Sequence, residues 1–226
     1  MDIKGKIFGY DKKRIAFTLS EILLTMTIVG VVAAMTIPTL HYQKVRREYT
    51  VKLKNFYSKM ENAVLDMQLD YGSFKDMEKP ATNSDAYDWY MSHIDPYVGH
   101  QYVRSGRRTI YYKDGSSLYL VSIGGCLDVI FDVNGDKRPN SVGRDQYYFL
   151  YCFEPAARIG HFGNEDIFLE LTEEGLHGAG ISRRQALNAC SGTATCPSAG
   201  GASPACCSRL LQLDQWEYKD DYPYKF

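Results

Sequence analysis

Residues Lys12–Tyr49 read KKRIAFTLSEILLTMTIVGVVAAMTIPTLHYQKVRREY, and this stretch decides the architecture. Three basic residues, Lys12, Lys13 and Arg14, precede a long apolar run. Glu21 lies just inside that run, and from Ile22 to Leu40 no side chain is charged. Charge returns at Lys44. Roughly 20 mostly apolar residues suffice to cross a bilayer as a helix. The rest of the chain is therefore expected to be a domain carried on a membrane stem.

Downstream the pattern changes from uniformly apolar to periodic. Val45, Tyr49, Leu53, Phe56, Met60, Val64, Met67 and Tyr71 recur at steps of three and four, one apolar stripe on a polar helix. A single helix over 17–71, apolar all round to about residue 40 and amphipathic beyond it, would reach roughly 80 Å at 1.5 Å per residue. Its second half should lie against a globular domain and its first half extend beyond it. A coiled coil would also explain the stripe, but the aromatic and methionine positions favour a globular partner. Gly72 is a suitable stop.

Upstream, five basic and two acidic residues precede Phe17, a charge of +3, while the remaining 21 basic and 25 acidic residues carry −4. That asymmetry keeps the short basic end in the cytoplasm and sends the mildly acidic bulk across the membrane. An acidic domain offers no electrostatic case for a nucleic-acid groove, and no nucleic-acid partner is expected. An ordinary secretory signal puts its small-residue cleavage site after the apolar run. The Ala33–Ala34 pair would serve that reading and would release the rest of the chain.

The run Ala16-Phe17-Thr18-Leu19-Ser20-Glu21 ahead of the apolar helix resembles the cleavage and methylation motif of type IV prepilins and type II secretion pseudopilins. The resemblance is strong over residues 12–60 and looser beyond. It implies a cytoplasmic leader at 1–16, a cut between Ala16 and Phe17 by a prepilin peptidase, and N-methylation of Phe17. It also implies assembly residues at Glu21 and at Pro38, where the family often carries a helix-loosening proline. The family usually has glycine before the cut, where this chain has Ala16. The implied domains are the leader, a helix over 17–71 that crosses the membrane at about 17–40, and an extracytoplasmic pilin-like domain over 72–226. The implied partners are copies of the chain or homologous pilin-like subunits, the peptidase, an inner-membrane assembly platform and the membrane. The precursor would sit in a bacterial inner membrane and pass to a periplasmic pseudopilus or a surface pilus.

Glu21 invites a functional reading without the family, because a carboxylate inside hydrocarbon is costly and usually paired. The amine created at Phe17 of a neighbouring subunit is a suitable partner. The alternative is a carboxylate that is protonated or touches lipid headgroups. Pro38 removes the hydrogen bond to the Ala34 carbonyl, and with Gly30 it marks either a segment able to repack or an ordinary kink.

In the domain, strands are expected at Thr109–Tyr112, Ser117–Ile123, Cys126–Val133 and Tyr147–Phe153, with an Asp114-Gly115 turn. They would form an antiparallel sheet with one face on the helix, an α+β pilin-like fold. Residues 73–108 read as a connection holding a short helix around Trp89, with Arg104, Arg107 and Arg108 as a solvated face. A short strand is expected at Ile167–Leu171 and a short helix at Arg183–Cys190. The six cysteines, Cys126, Cys152, Cys190, Cys196, Cys206 and Cys207, all lie on the exported side and read as disulfide candidates rather than buried thiols. Cys126 and Cys152 would bridge neighbouring strands, and the adjacent Cys206 and Cys207 would bond to different partners. The tail EYKDDYPYKF ends acidic and aromatic, with tyrosines that would face another subunit or a secreted partner.

Asp132, Asn134 and Asp136 alternate like the opening of a calcium loop, with Asp145 as a late carboxylate. Lys137 stands where the bend-forming glycine belongs, so a hydrogen-bonded hairpin loop is the competing reading. No other cofactor is implied. The histidines show no H-E-x-x-H spacing, and no serine sits in G-x-S-x-G. The chain therefore reads as a structural subunit rather than an enzyme. A membrane-anchored extracytoplasmic enzyme and a filament-tip adhesin or DNA-binding module are the alternatives.

Overall fold

From Leu19 to Tyr71 the backbone is one helix of 53 residues, α1, which runs through Gly30 and Pro38. The structure, a computed structural model, describes residues 17–106, 108–162, 182–194 and 206–225. Two compact units divide α1, Met1–Gln43 and Lys44–Phe226. The second unit takes in the amphipathic half of the helix because the apolar stripe begins at Val45. Gly72 ends the helix with φ +89°, a left-handed conformation that a side chain would resist.

Among the described residues, five strands follow in a simple meander: β1 (Tyr102–Arg104), β2 (Thr109–Tyr111), β3 (Ser117–Ile123), β4 (Cys126–Asp132) and β5 (Gln146–Cys152). They pair antiparallel in the order β1-β2-β3-β4-β5. The register places Leu118 opposite Phe131, Leu120 opposite Val129, Phe131 opposite Tyr147 and Val129 opposite Phe149. These residues share one face, and α1 buries Tyr49, Leu53, Phe56, Tyr57, Met60, Val64 and Met67 in the second unit. Phe56 stacks on Phe131 with ring centroids 3.9 Å apart and meets Phe149 edge-on at 5.0 Å. The Tyr151 hydroxyl donates to the Met60 sulfur at 3.3 Å.

The region expected to be a connection is more ordered than its glycines and prolines suggest. A 3-10 turn at Phe74–Asp76 buries Phe74, which packs on Phe153 at 4.5 Å. Helix α2 (Asn83–His93) starts at a capping box in which the Thr82 hydroxyl accepts from Asp85 N and the Asp85 carboxylate accepts from Thr82 N. It seats Trp89 edge-on against Tyr151. Helix α3 (Asp95–Val98) leads into β1. Among the described residues, the helices beyond the sheet are α4 (Pro155–Phe162), α5 (Arg183–Cys190) and α6 (Cys206–Leu213). Helix α5 has its own box, Ser182 with Gln185. The strand expected at Ile167–Leu171 lies outside the described residues.

Both sheet edges are blunted. On β5 the Tyr148 N–H donates to the Ser208 hydroxyl of α6 at 2.9 Å, so the edge is covered. The other edge, β1, is only three residues long and carries Arg104.

On the face away from α1, Asp128 of β4 is partly buried opposite Leu150, and burial pushes its carboxyl up to about 6. The folded state therefore holds the proton more tightly than the unfolded chain. Stability should fall as pH rises from about 4 to about 6 and stay reduced above that, by roughly 1–3 kcal/mol for this group. Asp128→Asn is expected to match the parent at pH 4 and to melt several degrees higher at pH 7. Equal melting shifts at both pH values would contradict the assignment.

Candidate functional site

In the described part of the N-terminal unit, three threonines bond back to the helix itself. The hydroxyls of Thr25, Thr27 and Thr36 donate to the carbonyls of Ile22, Leu23 and Val32 at 2.8–2.9 Å. Such back-bonding lets threonine sit in an apolar environment. Leu23, Leu24, Met26, Val29, Met35, Ile37 and Leu40 are each more than half exposed. Helix α1 is long and apolar enough to cross a membrane, and its most apolar 18-residue window is entirely unburied. By these properties it suits a membrane span or a signal sequence near the N-terminus.

The structure gives Glu21 a job that was readable in the sequence as Thr-x-x-Glu. Its Oε2 accepts from the backbone N–H and the hydroxyl of Thr18, at 2.8 and 2.7 Å, and Glu21 N donates to Thr18 Oγ1 at 3.3 Å. This is a capping box at the start of α1. Phe17, immediately outside it, is 75 % exposed. Ala16 lies outside the described residues.

A second concentration of polar groups is the loop between β4 and β5. Asp132 ends β4, and its Oδ1 and Oδ2 accept from Asn134 N and Gln146 Nε2, both at 3.0 Å. Burial is the main cause that pushes the Asp132 carboxyl up to about 7. Asp145 is fully buried. Its carboxylate accepts from Ser141 N at 2.6 Å, Asn140 N at 2.8 Å and Asn134 Nδ2 at 3.2 Å, which folds the loop back on itself. Asp136 points elsewhere: its carboxylate takes the Arg104 guanidinium and, at 2.7 Å, the Tyr111 hydroxyl. The Arg104 hydrogen bonds, then that of Tyr111, hold Asp136 below its ordinary value.

Of the four residues expected to ligate calcium, Asp132, Asn134 and Asp145 thus come together and Asp136 does not. Among the described residues no three His, Cys, Asp or Glu side chains form a metal-holding group. Arg104 and Arg108 lie at the surface as a solvated face requires, Arg104 paired with Asp136 and Arg108 with Asp88 at 2.9 Å, while Arg107 lies outside the described residues. The histidines of the domain serve local structure where they are described. His100 meets Asp95 at 2.8 Å, and His93 stacks on Trp89.

The loop also joins α1 to the C-terminal tail. Lys52 Nζ donates to the Val133 carbonyl at 2.9 Å, and Asn134 Nδ2 donates to the Tyr49 hydroxyl at 2.8 Å. From the other side, the Tyr222 hydroxyl donates to the Gly143 carbonyl at 2.5 Å, and Arg144 lies over the Tyr224 ring. A Cβ on Gly143 would meet the Tyr224 ring at 2.6 Å and the Cys207 sulfur at 2.7 Å, and its φ is +82°. Gly143→Ala is expected to cost roughly 2–4 kcal/mol by overpacking and backbone strain together. Chemical denaturation of the full chain in detergent measures it, and a change below about 0.5 kcal/mol would contradict the packing.

Two disulfides are described. Cys126 of β4 is bonded to Cys152 of β5, its register partner, and Cys190 of α5 to Cys207 of α6. Cys206 is also disulfide-bonded, so the adjacent pair does bond to different partners. Cys196 lies outside the described residues. Arg183 of α5 then clamps the tail, donating to Asp214 at 2.6 and 2.9 Å and to Asp221 at 2.8 and 2.7 Å. The tail tyrosines do not face outward as expected. Tyr218 and Tyr222 are buried, and the Tyr224 hydroxyl donates to the Cys190 carbonyl at 2.9 Å. Tyr218 shares a 2.6 Å hydrogen bond with Tyr147. The aromatic end is part of the core.

No curated protein and no solved structure matches the chain. A family model described as "Family of unknown function (DUF6613)" matches residues 39–226, which is most of the chain and all of its domain. The chain belongs to that family.

Proposed function

We propose that the chain is a structural subunit of a type IV pilus or a type II secretion pseudopilus. In this reading a prepilin peptidase cuts between Ala16 and Phe17 and methylates Phe17. The mature subunit then leaves the membrane by packing its apolar helix against those of other subunits. One observation carries the reading: AFTLSE stands directly before an uncharged run, Ile22–Leu40, whose large side chains are exposed on a helix. An exposed apolar surface of this extent needs lipid or protein around it, and a filament core supplies protein once the subunit has left lipid.

The capping geometry adds detail to the part played by Glu21. Before a cut, its carboxylate has the Thr18 N–H as a local partner. After a cut, the new amine at Phe17 is a stronger, charged partner in a neighbouring subunit. Trading one for the other would keep the carboxylate paired throughout assembly. The domain, closed by disulfides and by its own tail, would be the part displayed. The test is the N-terminus and mass of the chain recovered from isolated membranes and surface filaments of the producing cell. A methylated chain beginning at Phe17 supports the reading. A chain beginning after Ala34, or one never cut at Ala16, sinks it.

A further inference from the structure

We propose that Lys44 and Arg47 of α1 form an anchor for anionic phospholipid headgroups at the edge of a membrane. The uncharged run Ile22–Leu40 is about 28 Å long as a helix, close to the ~30 Å hydrocarbon core of a bilayer. Seated across that core, it leaves the residues just past Leu40 in the headgroup layer, which adds about 5–8 Å on each side. Lys44 and Arg47 follow Leu40 by four and seven residues, or about 6 and 10 Å along the helix axis. Tyr42, between Leu40 and Lys44, is of a residue type enriched at that boundary.

Helix geometry turns both cations toward that layer. Leu40, Lys44, Arg47 and Val51 recur at steps of four, three and four and are all exposed. Tyr49, Leu53 and Phe56, on the opposite side of α1, are buried. Lys44 and Arg47 thus share a face directed away from the sheet. Every Cα–Cβ bond of a helix tilts toward the N-terminus, so the two side chains lean back along α1 toward the end of the apolar run. Long basic side chains at the end of a membrane helix reach the interface in this way.

Among the described residues, Lys44 and Arg47 enter no ion pair. The charges beside them are engaged. Arg46 meets Asp220 of the tail at 3.4 Å, and Glu48, the next carboxylate along the helix, takes Lys52 at 3.1 Å. A lipid phosphate supplies the negative charge and acceptor oxygens that a guanidinium and an ammonium bind. Held this way, the domain would sit at a fixed height above the bilayer. The inference rests on the apolar run crossing a bilayer, which the filament reading shares, and on neither the cut nor the assembly.

The experiment uses the uncut full chain. It is first reconstituted with phosphatidylcholine vesicles and floated. It is then stripped of lipid in nonionic detergent and titrated with phosphatidylglycerol or phosphatidylcholine, with bound lipid counted by native mass spectrometry. The parent chain should bind phosphatidylglycerol about tenfold or more tightly than phosphatidylcholine. Lys44→Gln with Arg47→Gln should reduce that preference to about twofold or less. Lys59→Gln with Lys113→Gln removes the same charge from one hollow of the domain, Lys59 lying about 28 Å beyond Leu40 along α1, and should leave the preference intact. No preference in the parent, or an equal loss in both double variants, would overturn the anchor. So would displacement of the lipid by about 10 mM inorganic phosphate, the behaviour of a free-anion site. A chain that floats but shows no preference overturns the anchor alone, whereas one that does not float overturns the membrane span with it.

Discussion

Replacing Glu21 by leucine is expected to leave the chain in the membrane fraction and to cut the yield of assembled filaments by about tenfold or more. A tenfold loss corresponds to ~1.4 kcal/mol per subunit addition, a modest figure for removing a charged partner from an apolar bundle. The variant also loses the capping box with Thr18, so a second substitution separates the two roles. Glutamine can accept from the Thr18 N–H as glutamate does, but it carries no charge. Glu21→Gln should therefore keep the start of α1 intact and still assemble poorly. If Glu21→Gln assembles normally while Glu21→Leu does not, the carboxylate acts as a cap and the charge-pairing account fails. Normal filament yield from both would remove Glu21 from the assembly machinery altogether.

Truncating Phe56 to alanine should produce the largest loss of stability in the domain. Its ring stacks on Phe131 and meets Phe149 edge-on, in the middle of the face where α1 covers the sheet. Losing a buried phenylalanine costs about 3–5 kcal/mol. In a domain of this size that lowers the melting midpoint by about 6–20 °C. Loss of near-ultraviolet signal in the same range would show that tertiary packing of the helix on the sheet, rather than helix content, has failed. A shift of under about 2 °C would mean that the helix and the sheet are not held together through this contact. Leu65 and Leu69, exposed on the same helix, supply the control, since alanine there should change stability by less than about 0.5 kcal/mol.

The parts of the fold legible in the sequence are those whose signal is local and repeated. The stripe from Val45 to Tyr71 has the helical period, and β3, β4 and β5 are seven-residue segments in which leucine, β-branched and aromatic residues predominate. Strand β1 was missed because three residues between Gly99 and Gly106 carry no period to detect, and only pairing with β2 makes them a strand. Helix α4 was missed because Pro155 reads as a break, although proline is well placed in a first helical turn.

The candidate sites divide in the same way. The Thr18–Glu21 box is a four-residue pattern and was present to be read, but the resemblance to a processing motif drew Glu21 into a different role. The Asp136–Arg104 and Arg108–Asp88 pairs join residues 32 and 20 positions apart, and nothing in either segment names its partner. The tail tyrosines looked exposed because tyrosine tolerates either environment. Their burial depends on the β4–β5 loop and the Cys190–Cys207 bond arriving beside them. The calcium-like alternation names carboxylates and not the donors that meet them in the folded loop. The carboxylates that the pattern did announce are mostly spent on hydrogen bonds.

We propose that this chain is processed as a prepilin and built into a filament through its apolar helix. The most direct test is mass spectrometry of its N-terminal peptide, taken from chain recovered in assembled surface or periplasmic filaments. The expected peptide begins with N-methylated Phe17 and lacks residues 1–16. An N-terminus retaining residues 1–16, or one beginning after Ala34, would contradict it.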